Sequence, residues 1–187
     1  MPKQNEKKIV SFTKDQMFDL VADIDKYSDF LPWCNKSTII NKELNEEKIV
    51  SFTKDQMFDL VADIDKYSEF LPWCNKSTII SRESNEEALK VVADLEIGYG
   101  QFIYTYRSNV IMDNKKNYIK VNHLEGPFNY LDNEWIFEEI SENSSMIIFS
   151  IDFELNIKIF DILMTKFFDK AFQKMVDSFH QRAEDIY

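Results

Sequence analysis

Residues 147–155 read IIFSIDFEL, and residues 160–187 read FDILMTKFFDKAFQKMVDSFHQRAEDIY. The first stretch carries apolar side chains at every second position, which is the pattern of a strand with one buried face. The second stretch carries apolar side chains at helical spacing, with charged residues between them on the opposite face. This pattern predicts one amphipathic helix at the C-terminus. Counted over roughly 30 residues at 1.5 Å each, this helix reaches about 45 Å, long enough to cross a whole sheet.

The residues before this stretch predict further strands and two short helices. Thr53 has the position of an N-cap for a helix over residues 54–65, and a second short helix is expected from Asp65 to Cys74, ended by Pro72. Alternating or apolar runs predict strands at 49–52, 89–97, 102–112, 118–125, 131–140 and 147–155. Because the connections between them are short, the strands should form an antiparallel meander. The predicted fold class is therefore α+β, a curved antiparallel sheet wrapped around a long C-terminal helix, with two short helices after the first strand.

Composition excludes several classes of protein. The chain has 187 residues, of which 44% are hydrophobic, so it can build the core of one domain and is not globally disordered. The formal net charge of −11 argues against a wide phosphate-binding surface and therefore against DNA as a partner. We see no apolar run of membrane-spanning length and no secretory signal. Together with the two thiols of Cys34 and Cys74, this predicts a cytoplasmic protein.

Glycine and metal-ligand usage exclude nucleotide and metal chemistry. Glycine occurs at only three positions, Gly98, Gly100 and Gly126, and the GxG at 98–100 is followed by a strand pattern with Ile103 where a third glycine would stand. A dinucleotide fold or a P-loop is therefore not expected. The cysteines and the two histidines, His123 and His180, show neither CxxC nor HExxH spacing. We expect no cofactor and no metal.

An internal repeat precedes the strand region. Residues 8–40 and 48–80 are the same sequence at an offset of 40, except that Asp29 is replaced by Glu69. Two nearly identical copies, followed by unrelated sequence, indicate a recent duplication rather than a solenoid, which would need three or more units. One copy should fill the place in the fold, and the second is favoured because it is contiguous with the rest of the chain. We therefore expect an N-terminal extension over 1–47 and a folded domain over 48–187.

Five segments carry a resemblance to a known superfamily. They are YSEFLPWCNKS at 67–77, DLEIGY at 94–99, LEGPFNYLDNEWIF at 124–137, IDFEL at 151–155 and FFDKAFQKMVDSFHQRAEDIY at 167–187. Together they resemble the START-like superfamily of helix-grip, polyketide cyclase/dehydrase-like proteins. Within it they are most similar to the branch that holds coenzyme Q-binding chaperones and RatA-like ribosome-association toxins. This resemblance implies a helix-grip fold, a pocket for a hydrophobic ligand and no catalytic constellation.

The resemblance also implies which residues line the pocket. Pro-Trp-Cys at 72–74 and LEIG at 95–98 match the quinone-binding members, so ubiquinone is the ligand expected. The predicted lining residues are Leu71, Pro72, Trp73, Leu95, Tyr104, Phe128, Trp135, Met164, Phe168, Phe172 and Met175. Two alternatives stay open: Trp73 lines the mouth of the pocket or plugs the junction of helix and sheet, and Cys74 is a small buried apolar residue or a reactive thiol.

Three functions compete at this stage. The first is non-enzymatic binding of a polyisoprenoid quinone in support of respiration, with peripheral contact to the inner membrane. The second is binding of the large ribosomal subunit, which would block subunit joining, with a basic patch formed by Lys76, Arg82 and Lys90. The third and weakest is a cyclase-like or hydrolase-like enzyme, which would need a polar pair facing the pocket; the sequence identifies none.

Overall fold

The computed structural model describes residues 11–22, 41–99, 102–156 and 162–187. The chain divides into two compact units, residues 1–39 and 40–187. In the first unit the described part contains helix α1 (Lys14–Ala22). The second unit contains all the described strands and the remaining described helices, and it begins at Ile40, eight residues before the predicted start at 48.

One seven-stranded antiparallel sheet forms the second unit. Its strands are β1 (Asn41–Val50), β2 (Cys74–Ser84), β3 (Leu89–Tyr99), β4 (Phe102–Asp113), β5 (Tyr118–Glu125), β6 (Phe128–Ser141) and β7 (Ser144–Leu155). Their order in the sheet is β1-β7-β6-β5-β4-β3-β2. Six consecutive strands thus form a meander, and β1 pairs antiparallel with β7. The predicted fold class and the meander are confirmed.

The first strand is longer than predicted and starts earlier. The prediction placed it at 49–52, whereas β1 spans Asn41–Val50 and every residue from Asn41 to Val50 is in register with β7. The sequence shows no apolar alternation here, because the charged Glu46 and Lys48 lie on the same face of the strand as Leu44 and the buried Val50. A pattern that reads polar in sequence is therefore a paired strand in the structure.

An edge strand was absent from the prediction. β2 starts at Cys74 and carries mostly exposed residues, with Ser77 and Ile79 half-buried. Two register shifts against β3, at Cys74/Lys76 and at Ile79/Ser81, break the period of two that identifies a strand in sequence. The prediction also ended the preceding short helix at Pro72 and assigned no structure to the residues that follow.

The helices agree with the sequence pattern. Helix α2 (Lys54–Ala62) begins at a capping box, in which the Thr53 hydroxyl accepts from the Gln56 amide and the Gln56 side chain accepts from the Thr53 amide. A 3-10 helix (Ile64–Lys66) and the short helix α3 (Tyr67–Phe70) follow. The C-terminal helix α4 (Ile162–Ile186) has 25 residues and a length of about 37 Å.

An aromatic cluster joins the C-terminal half of α4 to the sheet and the short helices. Phe179 is 4% exposed, and its ring lies 5.3 Å from Tyr67, 5.1 Å from Phe70 and 5.4 Å from Trp135, between ring centroids. The Arg182 guanidinium donates to the Glu69 carboxylate at 2.8 Å. These contacts hold the helix against the inner face of the sheet.

The two copies of the repeat have the same local structure and different burial. Both form the same helix with the same cap, since Thr13 and Gln16 exchange the hydrogen bonds seen at Thr53 and Gln56. In α2 the apolar face is buried, with Phe58 4% exposed. In α1 the equivalent Phe18 is 70% exposed. The second copy therefore contributes to the core of the domain.

We propose that the domain draws only on the second copy, and the repeat supplies a matched pair of variants. Phe58→Ala should lower the free energy of unfolding by about 3–5 kcal/mol, because it removes a buried ring. Phe18→Ala makes the same change in the same local sequence and should shift it by less than about 0.5 kcal/mol. Urea unfolding of both variants measures the difference. Equal losses would show that the two copies exchange places.

Candidate functional site

A cavity of about 220 Å³ lies on the inner face of the sheet and separates two parts of the core. The larger part contains α2 and Phe179 together with the central strands. The smaller part is a cluster of Tyr106, Phe128, Leu131 and Phe153. All four side chains of the smaller cluster line the cavity, as do Trp135 and Phe149 of the larger one. The cavity thus lies between the two clusters, which both pack against Leu95 and Ile151.

The walls of the cavity come from the sheet, the short helices and α4. Inward-facing residues of β3 to β7 form the floor, and Val61, Ile64, Tyr67 and Leu71 close one side. Met175 and Phe179 of α4 cover it. Leu44 of β1 also reaches the cavity, so the strand that precedes the second copy completes the wall.

Most of the predicted lining residues meet at this cavity. Those that line it are Leu71, Trp73, Leu95, Tyr104, Phe128, Trp135 and Met175. Pro72 is exposed and lies outside the lining, because it sits in the turn before β2, between Leu71 and Trp73, which face inward. The side chains of Met164, Phe168 and Phe172 lie outside the described part of α4. That the lining residues bind a ligand is a proposal, taken up below.

Several lining residues escaped the sequence analysis. Tyr106 and Ser108 follow Tyr104 on the inward face of β4, and Asn133 precedes Trp135 on β6. The period of two, extended along each strand from the residues already chosen, would have found all three. Leu44 could not be found this way, because its strand was not recognised.

The two segments that resemble quinone-binding relatives are neighbours in the structure. The Gly98 amide donates to the Trp73 carbonyl at 2.9 Å, and Cys74 is in register with Ile97. Trp73 is half-buried and lines the cavity next to Cys74. Cys74 is 6% exposed, and its burial raises the pKa of the thiol to about 11. The structure therefore favours the small buried residue over the reactive thiol.

Gly126 shapes the end of the cavity. Its φ of +134° is a backbone conformation that other residues rarely adopt. A Cβ at this position would lie 2.9 Å from the Thr105 carbonyl oxygen and 3.1 Å from the Tyr106 Cα. Glycine thus lets the β5–β6 turn approach β4 closely, and the turn delivers Pro127 and Phe128 to the cavity wall.

The lining is apolar and uncharged. None of the described side chains that line the cavity is a Lys, Arg, Asp or Glu. Its polar groups are mostly paired within the protein: the Trp135 Nε1 donates to Asn133 Oδ1 at 2.9 Å, and the Asn133 amide donates to the Ser150 carbonyl at 3.0 Å. The Tyr67 hydroxyl donates to the Val61 carbonyl at 2.5 Å. Such a lining suits a hydrophobic molecule.

Carboxylates stand next to the three residues of the predicted basic patch. Arg82 pairs with Asp65 at 3.0 Å, on the face of β2 that the 3-10 helix covers. Lys90 stands directly opposite Glu83 across β2 and β3, and Lys76 stands opposite Glu96. Each cation therefore has a carboxylate beside it, which cancels most of the positive field at this edge.

Two further features concern the described residues alone. There, no group of three or more His, Cys, Asp or Glu side chains is arranged to hold a metal ion. In the same part of the chain, no helix is long and apolar enough to cross a membrane.

Comparison with known proteins agrees with this geometry. The family described as "Polyketide cyclase / dehydrase and lipid transport" matches residues 10–51 and again residues 50–180, so each copy of the repeat falls in a separate match. The Zhui aromatase/cyclase from Streptomyces sp. R1128 has the same fold, with a TM-score of 0.65 at 16% identity over 77% of this chain and 94% of that one. An antiparallel sheet, a long C-terminal helix and an apolar cavity on the inner face of the sheet define the class of this protein, the helix-grip fold. The chain belongs to the polyketide cyclase/dehydrase and lipid transport family of that class.

Two relatives bear directly on function. A ribosome association toxin RatA from Rickettsia prowazekii (strain Madrid E) is 36% identical over 182 residues, which cover 96% of this chain and 94% of the relative. A mitochondrial coenzyme Q-binding protein COQ10 homolog B from Xenopus laevis is 29% identical over 98% of this chain and 58% of its own length. These are the two groups within the superfamily to which the sequence motifs pointed.

Burial of Cys74 predicts slow thiol chemistry. In a Cys34→Ser variant, so that Cys74 is the one remaining thiol, alkylation at pH 8 should be about a hundredfold slower than for a free cysteine, because the raised pKa leaves little thiolate. The rate should climb until about pH 11. Because the folded state holds the thiol proton more tightly than the unfolded state, the free energy of unfolding should fall as the pH rises from the ordinary thiol pKa toward 11. Alkylation kinetics in native buffer and in urea measure this, and fast native reaction at pH 8 would contradict it.

Proposed function

We propose that this protein binds a hydrophobic ligand in the cavity without transforming it, and that the ligand is ubiquinone, in support of respiration. One observation supports this above the others: described residues of both core clusters line an uncharged apolar cavity. Close-packed interiors rarely leave such a space, since empty volume destabilises the fold. A ligand that fills the cavity restores the missing contacts.

The choice of a quinone draws on two further points. The relative from Xenopus laevis is named as a coenzyme Q-binding protein, and its similarity extends over nearly the whole of this chain. The Pro-Trp-Cys and LEIG segments, which resemble quinone-binding members, meet at the cavity wall. Each buried CH₂ of an isoprenoid tail would contribute about 0.8 kcal/mol of binding free energy.

The lining also supports binding over catalysis. Proton transfer needs a titratable group within hydrogen-bond reach of the substrate. The titratable side chains among the described lining residues are Tyr67, Cys74, Tyr104 and Tyr106. Burial raises the pKa of Tyr67, Cys74 and Tyr106, so these three stay protonated at neutral pH and are poor bases.

A second candidate is binding to the large ribosomal subunit. The specific observation in its favour is the relative from Rickettsia prowazekii, a ribosome association toxin whose length this chain matches almost completely. The net charge of −11, the ion pair of Arg82 and the glutamates opposite Lys76 and Lys90 disfavour binding of this edge of the sheet to rRNA. A basic ribosomal protein would suit the acidic chain better.

Quinone binding is tested by what the full chain retains on purification. Mass spectrometry of an organic extract should find ubiquinone with the wild-type protein. Val121→Phe places a larger side chain into the cavity and should abolish retention, with a change in stability of about 1 kcal/mol or less because it fills empty space. Val92→Phe is the control: it makes the same change on β3, at a residue outside the cavity lining, and should retain the quinone. A wild-type protein that carries no quinone and takes none from quinone-loaded vesicles would contradict the proposal.

Ribosome binding is tested by sedimentation of lysate through a sucrose gradient at low and high salt. If the second candidate holds, the chain comigrates with the large subunit at low salt and dissociates at high salt, since an acidic surface would bind through charge. Val121→Phe serves as the control, because a surface interaction should survive a filled cavity. Absence of comigration at low salt would exclude the candidate.

A further inference from the structure

Tyr106 stands out among the residues that line the cavity. It lies on β4, is 6% exposed, and belongs to the smaller core cluster. Its ring stacks on the His123 imidazole, with centroids 5.9 Å apart and planes 5° apart, and meets the edge of Phe128 at 5.3 Å. These contacts hold the Tyr106 ring in the wall of the cavity.

The Tyr106 hydroxyl is buried and has no hydrogen-bond partner among the described residues. Buried polar groups in native proteins are nearly always paired, so an unpaired one requires an explanation. Tyr67, which lines the same cavity, shows the ordinary arrangement, since its hydroxyl donates to the Val61 carbonyl. Burial raises the pKa of Tyr106, so its hydroxyl keeps its proton and can donate.

The surroundings of this hydroxyl limit the charge of the ligand. No described lining residue carries a charge, and burial lowers the pKa of the neighbouring His123, which is therefore neutral at physiological pH. The carboxylate of a fatty acid would enter this space without a positive partner, at a large cost in desolvation. A neutral acceptor oxygen meets no such cost.

We infer that Tyr106 anchors the head group of the ligand: its hydroxyl donates a hydrogen bond to a neutral carbonyl-type oxygen, and the apolar remainder of the molecule fills the cavity. The inference rests on the proposed function and deepens it, because it defines the ligand class as a long neutral molecule with a carbonyl at one end. A quinone belongs to this class, whereas a hydrocarbon and a fatty acid do not.

The test compares wild type and Tyr106→Phe in the full chain with three probes by titration calorimetry. The probes are a short-chain ubiquinone with a ten-carbon tail, a hydrocarbon of the same tail length and the corresponding fatty acid. Tyr106→Phe should weaken quinone binding by about three- to twelvefold, the range for one neutral hydrogen bond, and should leave hydrocarbon binding unchanged. The fatty acid should bind more weakly than the quinone to both proteins.

An infrared signature separates a hydrogen bond from a change in shape. The carbonyl band of the bound quinone should lie at lower frequency in wild type than in Tyr106→Phe. Tyr118→Phe is the matched control on the adjacent strand: it removes a hydroxyl that donates to Glu134 at 2.8 Å outside the cavity lining, so it should leave the band and the affinities unchanged.

The outcomes distinguish the anchor from the proposed function. Equal quinone affinity in wild type and Tyr106→Phe, or an equal loss for quinone and hydrocarbon, would overturn the anchor and leave binding in the cavity intact. Tighter binding of the fatty acid than of the quinone would overturn the neutral head group. If wild type binds neither quinone nor hydrocarbon, the proposed function fails together with the anchor.

Discussion

The packing of the Phe179 ring is the interaction on which the arrangement of the long helix, the short helices and the sheet depends. This ring meets Tyr67, Phe70 and Trp135, so one side chain of the long helix joins the short helices to the sheet. Around it, Arg182 pairs with Glu69 at the surface. These contacts hold the C-terminal half of the helix against the sheet, where Met175 and Phe179 line the cavity.

The backbone turn at Gly126 also shapes the cavity. A second aromatic cluster forms around Phe128 and Phe153, and its position depends on the tight turn at Gly126. The polar groups near the cavity, such as Asn133, are mostly paired within the sheet, which leaves the lining apolar.

The sequence predicted those parts of the fold in which the alternation of apolar and polar residues matches burial of one face. Strands β3 to β7 have one apolar face, and α4 has an apolar stripe, so period alone identified them. β1 and β2 form the edges of the sheet, where inward positions such as Glu46 and Ser77 are polar, so pairing is set by backbone hydrogen bonds that composition does not reveal. The lining followed the same rule, since extending the alternation along β4 would have reached Tyr106.

The repeat shows that identical residues do not determine their own place. Residues 48–62 and 8–22 have the same sequence, yet only the second copy is seen to bury its apolar face. The difference lies in the residues before the repeat. Leu44 pairs with Ile151 and closes the cavity wall, whereas the residue at the same offset before the first copy is Gln4, and Pro2 stands where β1 has Lys42. Proline cannot donate to a strand ladder, and glutamine would bring a polar group to an apolar wall. If the domain draws only on the second copy, as proposed above, the strand that precedes this copy gives the reason, because it completes the cavity wall.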